Sequence, residues 1–523
     1  MSNLEKEISQ RRTFAIVSHP DAGKTTMTEK FLWYGKAIRE AGHVRAKANR
    51  SHTVSDWMKI EQQRGISVSS SVLNFPFEGR QFNLVDTPGH QDFCEDTYRA
   101  LTAVDAALVL IDSVNGVERQ TIKLMEVCRM RKTPIITFIN KMDLDGKDIV
   151  DLFDEIEEIL QIQVSPFTLP IGYGKTFKGV YSLAENTFHT FDVAGKQEII
   201  QLSGPEDPVL LERCGEAYYN EFIERYELVT GVMEPFDHKM FLEGKQCPVF
   251  FGSAVNNFGV RQLLNAFAEL APAPMPRAAE TRVVEPMEDK FSAFVFKIQA
   301  NMDPRHRDRT AFLRICSGNF QRGAKVLHCR TGREIRLAAP TAFMAKDKEV
   351  IDEAWAGDIV GINDPGLFNI GDTLTSGEKL QFTGVPDFAP EFFARVLLRN
   401  PLKSKQMNKG LNQLSEEGAI QLYSPFKSPF PVVGVVGELQ FDVLVHRLEA
   451  EYGAQVTLER MAAFGARWVQ GEKAQQDAFI KEHEFDCMHD KREQLVCLFP
   501  NEYRLNLAEK NYSDLQFKTT SSG

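Results

Sequence analysis

The chain has 523 residues, 43% hydrophobic and 25% charged, with 61 Lys and Arg against 72 Asp and Glu for a net charge of −11. That length predicts about three domains, and the composition excludes disorder, collagen and a membrane bundle. Taken alone, the acidity argues against a nucleic-acid binder, whose phosphate contacts need Lys and Arg. The apolar run Ala106 to Ile111 is too short to cross a bilayer. MSNLEKEISQRR carries no apolar stretch of a secretory signal. The eight cysteines include no CxxC pair, so reduced thiols in a cytoplasm are expected rather than disulfides or a zinc site.

Residues 13–143 alternate strand-like and helix-like stretches. TFAIVSH (13–19) is an apolar strand running into a glycine–lysine turn. SVLNFPF (71–77) and QFNLVD (81–86) read as a hairpin about Glu78-Gly79-Arg80. AALVLID (106–112) and PIITFIN (134–140) are the unbroken apolar runs of parallel strands covered on both faces, and Val117 to Arg131 reads as a helix. This alternation predicts a doubly wound α/β domain. A further buried strand, PVFFGSA (248–254), precedes an amphipathic helix about Val260 to Leu270. The stretch between is longer than a crossover needs, so 144–247 is predicted to be an insertion starting with the acidic helix DIVDLFDEIEEIL (148–160). APAPMPR (271–277) and FTGVPDFAP (382–390) mark boundaries. Between them FSAFVFKIQ, TAFLRICSG and RGAKVLHCRTGREIRLA are short β-runs that predict a β-barrel over 280–385. Beyond, PVVGVVGELQ as strand and FDVLVHRLEAEYG as helix predict an α+β domain over 386–523.

Four segments carry chemistry. The nine residues Ser18, His19, Pro20, Asp21, Ala22, Gly23, Lys24, Thr25 and Thr26 lie between a strand and a helix. The pattern GxxxxGK[ST] cradles phosphates on backbone N–H groups and a helix N-terminus. Gly23, Lys24 and Thr25 fit it, and Ser18 stands in the first-glycine position. Lys24 supplies a cation to the β- and γ-phosphates, and the Thr25 hydroxyl a ligand for Mg²⁺. Asp86, Thr87, Pro88, Gly89 and His90 end the strand QFNLVD; there Asp86 suits Mg²⁺ through water and the Gly89 N–H a γ-phosphate. Asn140, Lys141, Met142 and Asp143 end another strand. The Asp143 carboxylate suits guanine N1–H and its 2-amino group, donors that adenine lacks, and a site built on such bonds rejects adenine. Gly252, Ser253 and Ala254 follow a fourth strand, where backbone N–H groups suit guanine O6. All four sit at carboxyl ends of predicted strands, where doubly wound sheets bind ligands. The ordered set is that of a GTPase, whose chemistry needs positioning and charge neutralisation and no covalent intermediate.

With these motifs the sequence resembles the translational GTPases of the elongation-factor-G-like superfamily. QQRGISVSS (62–70) resembles their first switch, with Ser67 where the family usually carries a Thr that ligates Mg²⁺. DTPGH (86–90) resembles the second, with His90 where the family positions the attacking water. Asp21 occupies the family's P-loop position near the phosphates. The resemblance implies catalytic roles for His90, Asp21 and Lys24, GTP contacts from all four segments, and Thr25, Ser67 and Asp86 as the Mg²⁺ ligands. The implied architecture is multidomain α/β: a P-loop GTPase domain (1–275) with its insertion, a translation-factor β-barrel and an α+β C-terminal domain. Within the group the chain is most similar to the peptide chain release factor 3 family, through RRTFAIVSHPDAGKTT, SDWMKIEQQRGIS, GHQDFCEDTYRALTAVD, FKIQANMDPRHRDR and QLSEEGAIQ. That similarity implies a cytoplasmic, monomeric GTPase that binds GTP and GDP but no membrane. Its partners would be class I release factors and the ribosomal RNA and proteins near the factor-binding site. It would promote departure of the class I factor after peptide release. Translocases of the superfamily carry two further C-terminal domains, and the residues after Pro390 leave room for one. The chain has no Gly-Gly dipeptide, hence no GGQ tripeptide of the class I factors, so its chemistry is expected on GTP alone.

Three rival readings differ in class or branch. A metabolic P-loop kinase predicts adenine preference, which Asn140–Asp143 opposes. A non-catalytic GTP-gated scaffold could dispense with His90. A translocase or ribosome-rescue factor shares the motifs. A second GKT, in GYGKT (172–176), has Leu169 in the first-glycine position and a strand-like FKGVY after it. His306-Arg307-Asp308 resembles a kinase catalytic loop but has Leu313 where Asn is required; Arg305 to Arg309 reads better as a basic RNA-facing loop. The acidity is local. Residues 144–247 hold 8 Lys and Arg against 20 Asp and Glu, whereas 11–80 hold 12 against 6 and 301–350 hold 11 against 5. An RNA partner is therefore compatible with the charge.

Overall fold

A computed structural model describes residues 2–38, 61, 67–191, 197–300, 309–337, 340–344, 347–386 and 388–520. The first-switch segment 62–66 and residues 305–308 of the expected basic loop lie outside them; Arg309, the last residue of that loop, is instead buried at the start of a strand and ion-paired with Asp364 at 2.6 Å, so it does not belong to an RNA-facing loop. The N-terminal region comprises α1 (Asn3–Ser9), β1 (Arg11–Ser18), α2 (Lys24–Tyr34), β2 (Ser71–Phe77), β3 (Arg80–Asp86), α3 (Cys94–Thr102), β4 (Ala106–Asp112), α4 (Arg119–Met130), β5 (Ile135–Asn140), α5 (Ile149–Leu160) and β6 (Gln163–Pro166). An excursion follows with β7 (Thr168–Ile171), β8 (Gly179–Ser182), β9 (Thr187–Phe191), β10 (Gln197–Gln201), α6 (Pro208–Cys214), α7 (Glu216–Val232) and α8 (His238–Leu242). The chain then returns through β11 (Gln246–Phe251) and α9 (Val260–Leu270).

Seven strands form one sheet in the order β2-β3-β1-β4-β5-β11-β6, parallel except for the β2–β3 hairpin. Every residue of β1, β4, β5 and β11 is buried, as runs covered on both faces require. The expected insertion at 144–247 needs one correction. Its first part, α5 and β6, belongs to the main sheet, because β6 pairs in parallel with β11. The cause is the stripe Ile149, Leu152, Phe153, Ile156 and Leu160, which recurs at helical spacing and is buried on the sheet while Asp151, Asp154 and Glu158 face water. The excursion proper starts at β7 and forms its own antiparallel sheet, β10-β9-β8-β7, whose core joins Tyr181 to Phe222 of α7.

The next region is an eight-stranded antiparallel sheet centred on Ser292–Ala300 and Arg309–Ser317, with a small two-stranded sheet beside it. A bulge at Phe296 breaks the register between Val295 and Lys297 and re-aims the lysine. No element was expected before residue 13, yet α1, capped reciprocally by Ser2 and Glu5, inserts Ile8 into this region's core. Buried ion pairs weld the region to the main sheet. Asp105 receives Arg314 at 2.5 Å and Arg277 at 2.7 Å, and Arg11 donates to Asp358 at 2.8 Å.

The last region is a second eight-stranded sheet with helices α10 (Ser404–Glu416), α11 (Leu439–Tyr452), α12 (Lys473–Glu482) and α13 (Glu502–Asn511). PVVGVVGELQ is a strand only over Val432–Val435; Gln440 Oε1 then accepts the Val436 and Gly437 N–H groups, and the helix starts at Leu439. This region docks where the other two meet. Arg99 of α3 donates to Gly418 O at 3.0 Å, Glu417 accepts the Ala300 N–H at 2.9 Å, and Arg309 pairs with Glu416.

Candidate nucleotide-binding site

The four motif segments converge at the carboxyl ends of β1, β3, β5 and β11. At the phosphate end, buried Ser18 closes β1, His19 and Pro20 are half-buried, and Asp21 is exposed with φ +64°. Gly23, at φ +100°, caps α2, and a Cβ there would lie 2.3 Å from Asn140 Nδ2, so both backbone and space demand glycine. The turn aims the unpaired N–H groups of α2's first turn into the cleft. Lys24 is buried, with Nζ 3.1 Å from Asp86 Oδ1. Thr25 and Thr26 are half-buried beside it. Thr25 hydroxyl and Asp86 carboxylate form an all-oxygen set suited to a hard divalent cation, and the Lys24 ammonium stands in for a cation against that carboxylate. Ser67 is half-buried four residues ahead of Ser71, which pairs in register with Asp86.

The second segment is held firmly. The Thr87 hydroxyl donates to Ile16 O at 2.7 Å, Thr97 donates to Pro88 O at 3.1 Å, and Gly89 lies against Pro20. His90 is part-exposed, and its Nδ1 accepts the Asp92 N–H at 3.2 Å.

At the base end Asn140 is a strut. Its Nδ2 donates to Ala22 O at 2.8 Å, and its Oδ1 accepts the Ala254 N–H at 2.8 Å, so it ties the P-loop to the Ser-Ala loop. Lys141, at φ +68°, is held by Asp112 Oδ2 at 2.8 Å. Met142 is a core side chain whose N–H donates to Gly252 O at 3.1 Å, and Asp143 is half-buried beyond it. Ser253 is buried and closes a turn with Phe258. The second GKT forms a single 3-10 turn, Gly174–Thr176, leading to β8 and not to a helix. Its Gly174 N–H braces Met142 O at 3.0 Å. Asp112, Asp92 and the Glu118 that faces His19 at 3.4 Å escaped the sequence reading. Asp112 could have been found, as a charge ending an apolar strand.

No helix among the described residues is long and apolar enough to cross a membrane. Three family models match the sequence: "Elongation factor Tu GTP binding domain" over residues 9–273, "Elongation factor G domain 2" over 290–377, and "Class II release factor RF3, C-terminal domain" over 382–509. A crystal structure of a protein from Thermus thermophilus is similar over 89% of this chain and 71% of its own, with a TM-score of 0.71 at 24% identity. That likeness speaks for the fold. The first model spans half of the chain and the third its C-terminal region, so the chain belongs to the elongation factor Tu GTP-binding family and is a translational GTPase of the release-factor-3 type.

Proposed function

We propose that the protein is a ribosome-dependent GTPase of translation termination, which promotes dissociation of class I release factors after peptide release and hydrolyses GTP to GDP and phosphate. One observation supports the reading: the region matching the class II release-factor C-terminal model docks on the turn that holds His90, so the release-factor-type domain and the candidate hydrolytic site share an interface. The P-loop amides and Lys24 bind the phosphates. Thr25, Ser67 and Asp86 would hold Mg²⁺, which when bound neutralises phosphate charge. Asp143 reads guanine, and Asn140 and Asp112 position the loops around it.

His90 orients the attacking water. Because Nδ1 accepts a backbone N–H, the neutral ring carries its proton on Nε2 and offers a hydrogen-bond donor there rather than a base. The same reading divides the chain into domains at 1–275, 280–385 and 386–523, in a monomeric cytoplasmic protein. The test is release of a labelled class I factor from terminated ribosomes, with and without the protein and GTP. Acceleration that needs both is expected. Equal departure rates in their absence refute the reading, and acceleration of tRNA movement instead would identify a translocase.

A further inference from the structure

We propose that Asp92 is a positioning residue for hydrolysis that couples His90 to the seating of the C-terminal domain; this rests on the role proposed for His90. Asp92 lies in the single 3-10 turn Gln91–Phe93 directly after the histidine. Its N–H donates to His90 Nδ1 at 3.2 Å, and its Oδ1 lies 3.4 Å from the same nitrogen. The main chain thus holds the neutral imidazole, and the side chain faces the charged one. The other carboxylate oxygen, Oδ2, accepts the Leu439 N–H at 2.7 Å. Leu439 opens α11, whose first amides have no partner within the helix and whose dipole favours an anion there.

The approach is close enough to require glycine on the other side. A Cβ on Gly437 would lie 2.3 Å from Asp92 Cβ and 2.4 Å from its Cα. Gly437 is not in the left-handed region, so it is proximity to Asp92 that excludes a side chain. Gln440 pins this loop by accepting the Val436 and Gly437 amides, each at 2.9 Å. Beside the joint, Phe93 packs with Val68 of the first switch and with Leu439 and Val443 of α11. Sliding the C-terminal domain off the joint removes the anchor of the carboxylate and frees the turn that carries His90. A partner that moves this domain therefore sets turnover without touching the nucleotide.

Ribosome-stimulated turnover and GTP affinity of the full chain, in Gly437→Ala, Asp92→Ala, Asp92→Asn and the Gly437→Ala/Asp92→Ala double variant, test this. Gly437→Ala and Asp92→Ala should each lower kcat about tenfold or more while KM and GTP affinity stay within about twofold, the split expected when only transition-state positioning is lost. Asp92→Asn keeps an acceptor for the Leu439 amide and should hold kcat within about threefold. The double variant should be no slower than the slower single one, because both break one joint. Wild-type kcat in Asp92→Ala overturns the proposal. So does a normal Gly437→Ala beside an impaired Asp92→Ala, which would confine Asp92 to the GTP-binding domain, and so do multiplying effects in the double variant. If Gly437→Ala loses its cooperative unfolding transition, the Asp92→Ala and Asp92→Asn pair decides alone. His90→Ala separates the two levels. Normal kcat there removes His90 from the mechanism, whereas a slow His90→Ala with a normal Asp92→Ala overturns only the coupling.

Discussion

Asn140→Ala cuts a strut buried at both ends. The change removes the 2.8 Å bond to Ala22 O and the 2.8 Å bond from Ala254 N–H, leaving a carbonyl and an amide without partners. Each buried orphan costs about 1–3 kcal/mol. In the free protein the two loops escape that cost by relaxing towards water, and nucleotide binding must draw them back. Affinity should then fall by about 2–4 kcal/mol, or about thirty- to a thousandfold. The strut lies beneath the P-loop and the Ser-Ala loop, away from the γ-phosphate end, so GTP and GDP should lose affinity equally. Equilibrium titration with fluorescent analogues of both nucleotides measures this. Dissociation constants within about threefold of wild type, or a loss confined to GTP, would refute the strut argument.

Asp143→Asn replaces an acceptor with an amide that offers its own donors, so GTP affinity should fall and xanthine nucleotides should gain; a competition assay between the two checks it. Asp105→Ala leaves Arg314, 1% exposed, and the partly buried Arg277 without their carboxylate and should cost about 3–5 kcal/mol in urea unfolding. The exposed pair Arg322–Asp352 is the control, and Asp352→Ala should leave the transition unmoved. Asp96 gives a pH signature. Burial opposes its charge, but Lys297, Arg99 and Ser70 outweigh burial and hold its carboxyl below the ordinary value. Its stabilisation is present above the unfolded pKa of about 3.9 and is lost as pH falls through the depressed folded value. Burial pushes the Lys297 ammonium down, the opposite sense, but that lysine stays protonated in acid, so Asp96 governs. The stability gap between Asp96→Asn and wild type should therefore narrow below about pH 4.

Strands β1, β4, β5 and β11 were legible because each holds an apolar run with a polar end, and β3 because it reads as half of a hairpin; the site segments follow from the ends of β1, β3, β5 and β11. Strand β6 was not, since QVSP offers one aliphatic residue and its place is fixed by its partner β11, far along the chain. The start of α11 was hidden because Gly437 and the Leu439 amide meet a neighbour, Asp92, that no local pattern announces. The same holds within the site. The motif placed Asn140 near the base, but only the fold shows both ends of its amide engaged with backbone. Periodicity reports which face is buried; it carries nothing about which residue hundreds of positions away completes a hydrogen bond.

The small helix α1 has a consequence for synthesis. Its Ile8 is buried in a core built from residues after 290, and Arg11 at its exit is paired with Asp358, 347 positions later. At about 5–20 residues per second the ribosome needs about 20–70 s to deliver that partner. For that interval the GTP-binding region has its strands but not its N-terminal staple. Helix α1, made hundreds of residues earlier, is thus among the last elements to be locked, and the link between the two domains closes only once the second has emerged.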